Sequence, residues 1–210
     1  MSSAWKSLSF SLLLAALFSG PATAQEFKVG THYDILPAAK ETSDPTKIEV
    51  VELFWYGCPH CFSFEPFVEK WLANKADDVV FIRIPAVFSK TWALHAKAFY
   101  AAEQMGILEA FHSALFSALH REKQQLFTQR ALVDFVAAKG WDAQGFEAAF
   151  TSFSVDGKFR QAQAATRDYG IRGVPSVIIN GKYVTSASKV SDYDLMLKLI
   201  DHLADIERNQ

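Results

Sequence analysis

Cysteine is scarce in this sequence: of 210 residues, only Cys58 and Cys61 carry a thiol. So few cysteines exclude a small scaffold held together by several disulfides. They also argue against structural zinc, which takes four ligands, because there is no second C-x-x-C motif and no closely spaced histidine pair. A structural staple is a further interpretation, but closing so short a loop stabilises a fold by only about 2 kcal/mol in the chain-entropy model. A reactive redox pair fits the isolated motif better than half of a zinc site or a staple.

Basic runs and long apolar runs are also missing from most of the chain. The formal net charge is −2 and no basic cluster is present, which argues against a nucleic-acid partner. The first 24 residues differ, since Lys6 precedes an apolar run over residues 8–18 and Ala22-Thr23-Ala24 matches a cleavage site. This pattern predicts a secretory signal peptide cleaved after Ala24, with an uncleaved membrane anchor as the alternative. Export would place both cysteines in an oxidising compartment.

The residues around the cysteines predict a strand that leads into a helix. Residues 48–56 form an apolar run typical of a buried strand, and Pro59 suits the first turn of a helix. Cys58 then lies at the helix N-cap and Cys61 one turn further on. Because a helix N-terminus stabilises negative charge, we expect Cys58 to be a thiolate at neutral pH, with His60 adding to the effect. A pKa lowered by two to three units would make the couple more oxidising by about 60–90 mV.

The carboxylate of Glu52 falls inside the predicted strand, six residues before Cys58. Two interpretations stay open for it. Glu52 is either an exposed residue at the end of the strand or a buried acid beneath the cysteines. A buried acid would disfavour the thiolate when ionised, or relay a proton when neutral. Arg83, in a second predicted strand over residues 79–84, is either the partner of Glu52 or a surface residue.

The predicted elements follow the order strand, helix, strand, helical block, hairpin, helix. Phe27, Val29 and Tyr33 alternate with polar residues and predict an additional edge strand near the start. Asn180-Gly181 is a strong hairpin signal, and Ser191 predicts the N-cap of the last helix. Two strands that flank one helix are expected to be parallel. A C-x-x-C motif beside such a β-α-β pattern is typical of a thioredoxin-like redox site.

The helical block covers residues 88–169 and contains five predicted helices. Thr128 and Asp142 predict the starts of the third and the fourth. Three histidines lie in the block, and each is expected to have a packing or surface role rather than to bind a ligand. They are His95, His112 and His120.

Two motifs far apart in the chain carry a resemblance to a known family. Cys58-Pro59-His60-Cys61 and Gly173-Val174-Pro175, separated by the helical block, resemble the DsbA family of bacterial periplasmic thiol–disulfide oxidoreductases. The resemblance implies an α/β thioredoxin-like fold with a helical domain inserted between its two halves. It divides the chain into a signal peptide (1–24), an N-terminal thioredoxin part (25–87), the inserted helical domain (88–169) and a C-terminal thioredoxin part (170–210).

The resemblance also implies roles for single residues. Cys58 would be the exposed thiol of low pKa, and Cys61 the buried thiol that resolves the mixed disulfide. Pro175 would follow a cis peptide bond and face the cysteines, although the sequence alone favours an ordinary trans proline. The backbone of Val174 would then be free to pair with a substrate strand.

Glu52 and Arg83 match an acid and a basic residue near the active site of the family. That basic residue is usually lysine, so Arg83 is a departure from the pattern. Because an arginine does not give up its proton, the departure argues against a proton relay through this position.

The function implied is that of a periplasmic protein disulfide oxidase, which passes its Cys58–Cys61 disulfide to unfolded or partly folded exported proteins. We expect a monomer without bound cofactor or metal, because the dithiol itself is the redox centre. Its implied partner for reoxidation is a DsbB-like, quinone-linked membrane protein. The alternatives are a disulfide isomerase or reductase on the same fold, or a non-redox binder or holdase. Dimeric isomerases carry a separate dimerisation domain, for which residues 25–48 are too few.

Overall fold

The computed structural model describes residues 26–190 and 192–210. The predicted signal peptide and the predicted cap Ser191 therefore lie outside the described residues. In chain order the elements are β1 (Asp34–Ile35), β2 (Ile48–Phe54), α1 (Pro59–Leu72), β3 (Val79–Pro85), α2 (Lys90–Gln104), α3 (Leu108–His120), α4 (Gln129–Ala138), α5 (Ala143–Phe150), α6 (Phe153–Asp168), β4 (Ser176–Ile179), β5 (Tyr183–Ser186) and α7 (Tyr193–Arg208).

The strands form one mixed sheet in the order β1-β5-β4-β2-β3. Strands β2 and β3 are parallel, as predicted, while β4 runs antiparallel to β2. Every residue of β2 is buried, including Glu49 and Glu52, and its other five residues are apolar. Asn180 and Gly181 both have positive φ and connect β4 to β5, so the predicted hairpin is confirmed.

The predicted edge strand formed by Phe27, Val29 and Tyr33 is wrong. Strand β1 begins only at Asp34, where it pairs with β5, and Val29 makes an isolated bridge to Tyr33. The reason is a tight turn: Gly30 has a φ of 80°, and its N–H donates to the Tyr33 carbonyl. The chain thus folds back on itself before it reaches the sheet.

The five predicted helices of the block are present as α2 to α6. Thr128 caps α4 by accepting a hydrogen bond from the Ala131 N–H, and Asp142 caps α5 in the same way through Gly145. The last helix, α7, is capped by Asp192, whose side chain accepts from the Leu195 N–H. No helix in the described part of the chain is long and apolar enough to cross a membrane.

Two of the three apolar clusters among the described residues position the site. One joins α1 and α7 to the sheet through residues such as Phe64, Val50 and Met196. The other joins the helical block to the end of β2, and it contains both Cys58 and Cys61. The cysteines therefore lie where the helical block meets the sheet.

Candidate active site

Cys58 occupies the N-cap of α1, as predicted. Its φ of −87° and ψ of 118° are extended, and Pro59 follows at the first helical position. A turn after β2 sets this geometry, because the Cys58 N–H donates to the Trp55 carbonyl at 2.9 Å. The turn also explains why β2 ends at Phe54, two residues earlier than predicted. Cys61 lies one turn into the helix, and both thiols are free in this structure.

The two sulfurs have different surroundings. Cys61 has no exposed surface, whereas 9% of Cys58 is exposed. Cys58 is thus less exposed than the family resemblance implies, because the segment at Val174 lies over it: Cys58 Sγ lies 3.4 Å from the Val174 carbonyl oxygen, to which it donates when protonated.

The surroundings shift the pKa values of the two thiols in opposite directions. A hydrogen bond from the Cys61 thiol, supported by the backbone N–H groups of Cys61 and His60 and by the His60 charge, lowers the pKa of Cys58 to about 6 despite partial burial. Burial, together with the neighbouring Cys58, raises the pKa of Cys61 well above its ordinary value. At neutral pH the shared proton therefore resides on Cys61, and Cys58 is the thiolate.

The segment opposite the cysteines carries Val174 and Pro175, joined by a cis peptide bond as the resemblance implies. A cleft of about 800 Å³ opens beside it and is also lined by His60 and Tyr193. The Tyr193 hydroxyl donates to the His60 carbonyl at 3.1 Å, which ties α7 to the start of α1. His60, which lines this cleft, is exposed, and so is the preceding Pro59.

Glu52 is fully buried, so its interpretation as an exposed strand end is wrong. The register of β2 and β3 pairs it with Arg83, whose Nε lies 3.4 Å from a Glu52 carboxylate oxygen. Arg83 also donates to Glu65 of α1 at 3.0 Å, and it is therefore a partner rather than a surface residue. The Arg83 guanidinium lies beside Glu52 without hydrogen-bond alignment, since neither Glu52 oxygen has a hydrogen-bond donor among the described residues. Burial, helped by the charge of Glu65, raises the pKa of Glu52 against the opposing effect of Arg83.

Comparisons with known proteins agree with this geometry. A family model described as DSBA-like thioredoxin domain matches residues 77–200. The chain is 39% identical over 197 residues to the thiol:disulfide interchange protein DsbA of Pseudomonas aeruginosa, which covers 94% of this chain and 93% of that protein. The chain belongs to the DsbA family. A DsbA of Burkholderia cepacia is 37% identical over 201 residues, covering 94% of this chain and 95% of its own.

Solved structures of DsbA proteins have the same fold as this chain. The crystal structure of Pseudomonas aeruginosa DsbA matches with a TM-score of 0.83 at 39% identity, over 87% of this chain and 95% of that one. The oxidoreductase DsbA from Xylella fastidiosa matches with a TM-score of 0.80 at 33% identity, over 87% and 98% of the two chains. The thioredoxin-like fold and the activity class of thiol:disulfide oxidoreductase follow from these matches.

The sequence analysis assigned no role at the site to three polar residues that lie near it. Glu65 stands four residues after Cys61, so a helical wheel from the cysteine could have found it. His112 Nε2 lies 3.1 Å from the same Glu65 oxygen that Arg83 contacts. His120 is half-buried and bonds the Tyr56 carbonyl at 2.7 Å. His112 and His120 lie eight positions apart on α3, but no local sequence pattern shows which part of the fold that helix faces.

The third histidine of the block, His95, has the packing role expected of it. It is fully buried, and one ring nitrogen bonds the Leu126 carbonyl at 2.9 Å. Burial lowers its pKa to about 4, so it is neutral. Within residues 26–190 and 192–210, no group of three or more His, Cys, Asp or Glu side chains is placed to hold a metal.

Proposed function

We propose that this DsbA-family protein is a periplasmic protein disulfide oxidase, which donates its Cys58–Cys61 disulfide to exported proteins. The observation that carries the proposal is the opposite shift of the two thiol pKa values at the start of α1. A stabilised Cys58 thiolate favours the reduced enzyme, and a couple whose reduced form is favoured is a strong oxidant. The same thiolate is also a good leaving group.

The reaction consists of two exchanges. In the first, a substrate thiolate attacks Cys58 Sγ of the disulfide, the Cys58–Cys61 bond breaks, and Cys61 leaves and takes up a proton. In the second, another substrate thiolate attacks the substrate sulfur of the mixed disulfide and releases Cys58 as a thiolate. Two electrons pass from the substrate dithiol to the enzyme, so the substrate ends oxidised and the enzyme reduced.

The cleft beside Val174 is our candidate binding surface for unfolded or partly folded substrates. Its position next to Cys58 would let an extended chain place its cysteine at the sulfur while it pairs with the Val174 backbone. Exposed Pro59 and half-buried Phe62 would add apolar contact. Such contacts are weakly selective, as a catalyst with many substrates requires.

The location and the redox partner are part of the same proposal. The signal-peptide pattern with cleavage after Ala24 supports export to the periplasm. The catalytic cycle needs an external oxidant to reform the disulfide, and a DsbB-like, quinone-linked membrane protein would supply it. We propose that the protein acts as a monomer with the dithiol as its only redox group.

Two measurements test this function. The first is the equilibrium of the Cys58–Cys61 pair with glutathione buffers, for which we expect a reduction potential well above that of the glutathione couple. A potential as low as that of thioredoxin would instead indicate a reductase. The second is oxidation of a reduced, unfolded substrate by the Cys58→Ser variant, which we expect to be lost. A variant that oxidised the substrate at the normal rate would exclude Cys58 as the attacked sulfur, and retained binding alone would indicate a holdase.

A further inference from the structure

Tyr56 is a fully buried residue in the turn between β2 and α1, two positions before Cys58. Helix α3 of the helical block contacts it at both ends. The Tyr56 hydroxyl lies 3.0 Å from His112 Nδ1, and its backbone carbonyl lies 2.7 Å from His120 Nε2. Phe116 packs against the ring between them, with the ring centroids 5.0 Å apart.

The three α3 residues follow one stripe of that helix, because positions four and eight residues apart lie on the same face. We call His112 and His120 together the Tyr56 clamp. One member fixes the side chain of Tyr56 and the other fixes its main chain. Both the place and the direction of this residue are therefore determined by the helical block.

Hydrogen-bond chemistry determines the proton position on His120. A carbonyl oxygen only accepts, so His120 Nε2 carries a proton and donates to Tyr56. His112 Nδ1 and the Tyr56 hydroxyl share the other hydrogen bond. His112 Nε2 lies 3.1 Å from a Glu65 carboxylate oxygen, without hydrogen-bond alignment. Glu65 and Arg83 are the charged groups that face His112 from α1 and β3. The ring of His120 is further held by stacking on Phe62, with centroids 4.9 Å apart.

The turn that contains Tyr56 determines where the Cys58 sulfur lies. The Cys58 N–H bonds back to Trp55, so a shift of Tyr56 changes the entry of the chain into α1. Cys58 lies at the N-cap of that helix, where the N–H groups of the first turn favour negative charge, and this effect falls off within the first turn.

We propose that His112 and His120 are positioning residues, which hold the turn at Tyr56 and thereby keep the Cys58 sulfur in place at the N-terminus of α1. This inference rests on the proposed role of Cys58 as the reactive thiol. It assigns a redox function to the helical block, because α3 tunes the cysteine pair without touching the substrate cleft.

The test compares His112→Phe and His120→Leu with the wild type, through the thiolate absorbance of Cys58 against pH and the equilibrium with glutathione. We expect the Cys58 pKa to rise by about one unit in each variant, which is a tenfold loss of thiolate stabilisation. The equilibrium constant for oxidation of glutathione by the Cys58–Cys61 disulfide should fall by the same factor. The reduction potential of the pair would then be about 30 mV lower, since two electrons are transferred. His120→Gln, which keeps an amide donor, should recover most of the change.

Asp142→Ala is the matched control, since it removes the cap of α5 and destabilises the helical block away from Tyr56. We expect it to lower stability and to leave the Cys58 pKa and the potential unchanged. Should His112→Phe or His120→Leu fail to fold, Tyr56→Phe is the alternative variant. It removes only the hydroxyl that bonds His112, and we expect it to raise the Cys58 pKa as well.

Clamp variants that lose stability but keep the wild-type pKa and potential would overturn the inference, because a purely structural role affects the oxidised and reduced forms equally. Failure of the proposed function is distinguishable, since it would be seen in the wild type itself. In that case wild-type Cys58 would titrate as an ordinary thiol, and the pair would show a low potential.

Discussion

Among single residues, Glu52 is unusual because it is a carboxylic acid with no exposed surface. Glu52 is fully buried, and Arg83, its charged partner of opposite sign, is shared with Glu65. The single positive charge of Arg83 compensates only one of the two buried carboxylates, Glu52 or Glu65. Protonation of the other carboxylate avoids a buried negative charge without a partner. The raised pKa of Glu52 agrees with this charge count, since at neutral pH the group is largely a neutral acid.

The pH dependence of stability should reveal this proton. A carboxyl whose pKa rises from 4.5 in the unfolded chain to about 8 in the fold binds more protons when folded. Its contribution to stability is therefore complete below pH 4.5 and is lost as the pH rises through 8. We expect the free energy of unfolding of the oxidised protein to fall between pH 6.5 and pH 8, above the range in which His95 protonates in the unfolded chain, and Glu52→Gln to remove most of that slope. Urea unfolding over this pH range measures the slope. The oxidised protein is used because it has no free thiols that would titrate over the same range.

Glu49→Gln is the control for this experiment. Glu49 lies in the same strand and is buried, but its carboxylate accepts two hydrogen bonds from Ser43. The slope should survive in this variant. Equal slopes in wild type and Glu52→Gln would show that Glu52 ionises in the fold as it does in the unfolded chain.

At the scale of elements, local patterns predicted most helices and strands. Apolar periodicity, the caps at Thr128 and Asp142 and the turn at Asn180-Gly181 are determined by neighbouring residues, and these predictions were confirmed. The strand at residues 27–33 failed because its apolar alternation was real but a turn at Gly30 reverses the chain.

The candidate site was predictable only where the chemistry lies close together in the sequence. The N-cap position of Cys58 follows from Pro59 and the strand before it. The pairing of Glu52 with Arg83 depends on the register of two strands, so the sequence could only name both residues as candidates. His112 and His120 were missed because their partner, Tyr56, is more than fifty residues away in the chain. Such contacts depend on tertiary packing rather than on local pattern.

The turn of the β4–β5 hairpin allows a test of how one residue stabilises an element. Gly181 has a φ of 62°, and a Cβ there would meet the Lys40 backbone carbonyl. Gly181→Ala should lower the free energy of unfolding by about 1–2 kcal/mol from backbone conformation, and further from the clash. Gly157→Ala makes the same chemical change inside α6, where nothing lies within 4 Å, and should stabilise by about 0.5–1 kcal/mol. Urea unfolding of both variants measures the two changes in the free energy of unfolding. An unchanged free energy in Gly181→Ala would mean that the turn tolerates a side chain.

At the scale of the whole molecule, the redox pair is part of the core that joins the helical block to the sheet. Cys58, Cys61, Phe54 and Tyr56 belong to one buried cluster with residues of α2 to α6. The state of the two sulfurs therefore affects the stability of the entire fold rather than of one loop. A thiolate that is stabilised in the folded protein stabilises the reduced fold by linkage.

The reduced protein should accordingly be more stable than the oxidised protein, by an amount that depends on pH. The pKa of Cys58 is lowered to about 6 in the fold, so its contribution is complete above the ordinary thiol value of about 8.5 and is lost as the pH falls through 6. We expect the difference in unfolding free energy between the two forms to shrink by about 1–2 kcal/mol from pH 8 to pH 5, after allowance for solvent screening of a partly exposed sulfur. Unfolding of both forms in urea at the two pH values measures this difference.

The Cys58→Ser variant separates this effect from ordinary pH dependence, because it has no thiolate at the N-cap and cannot form the disulfide. Its stability between pH 8 and pH 5 should follow that of the oxidised protein, since Glu52 titrates in both. An oxidised form that is the more stable one at both pH values would contradict the prediction. The disulfide would then stabilise the fold by restricting the unfolded chain, as in a structural staple, and the protein would retain its disulfide instead of donating it.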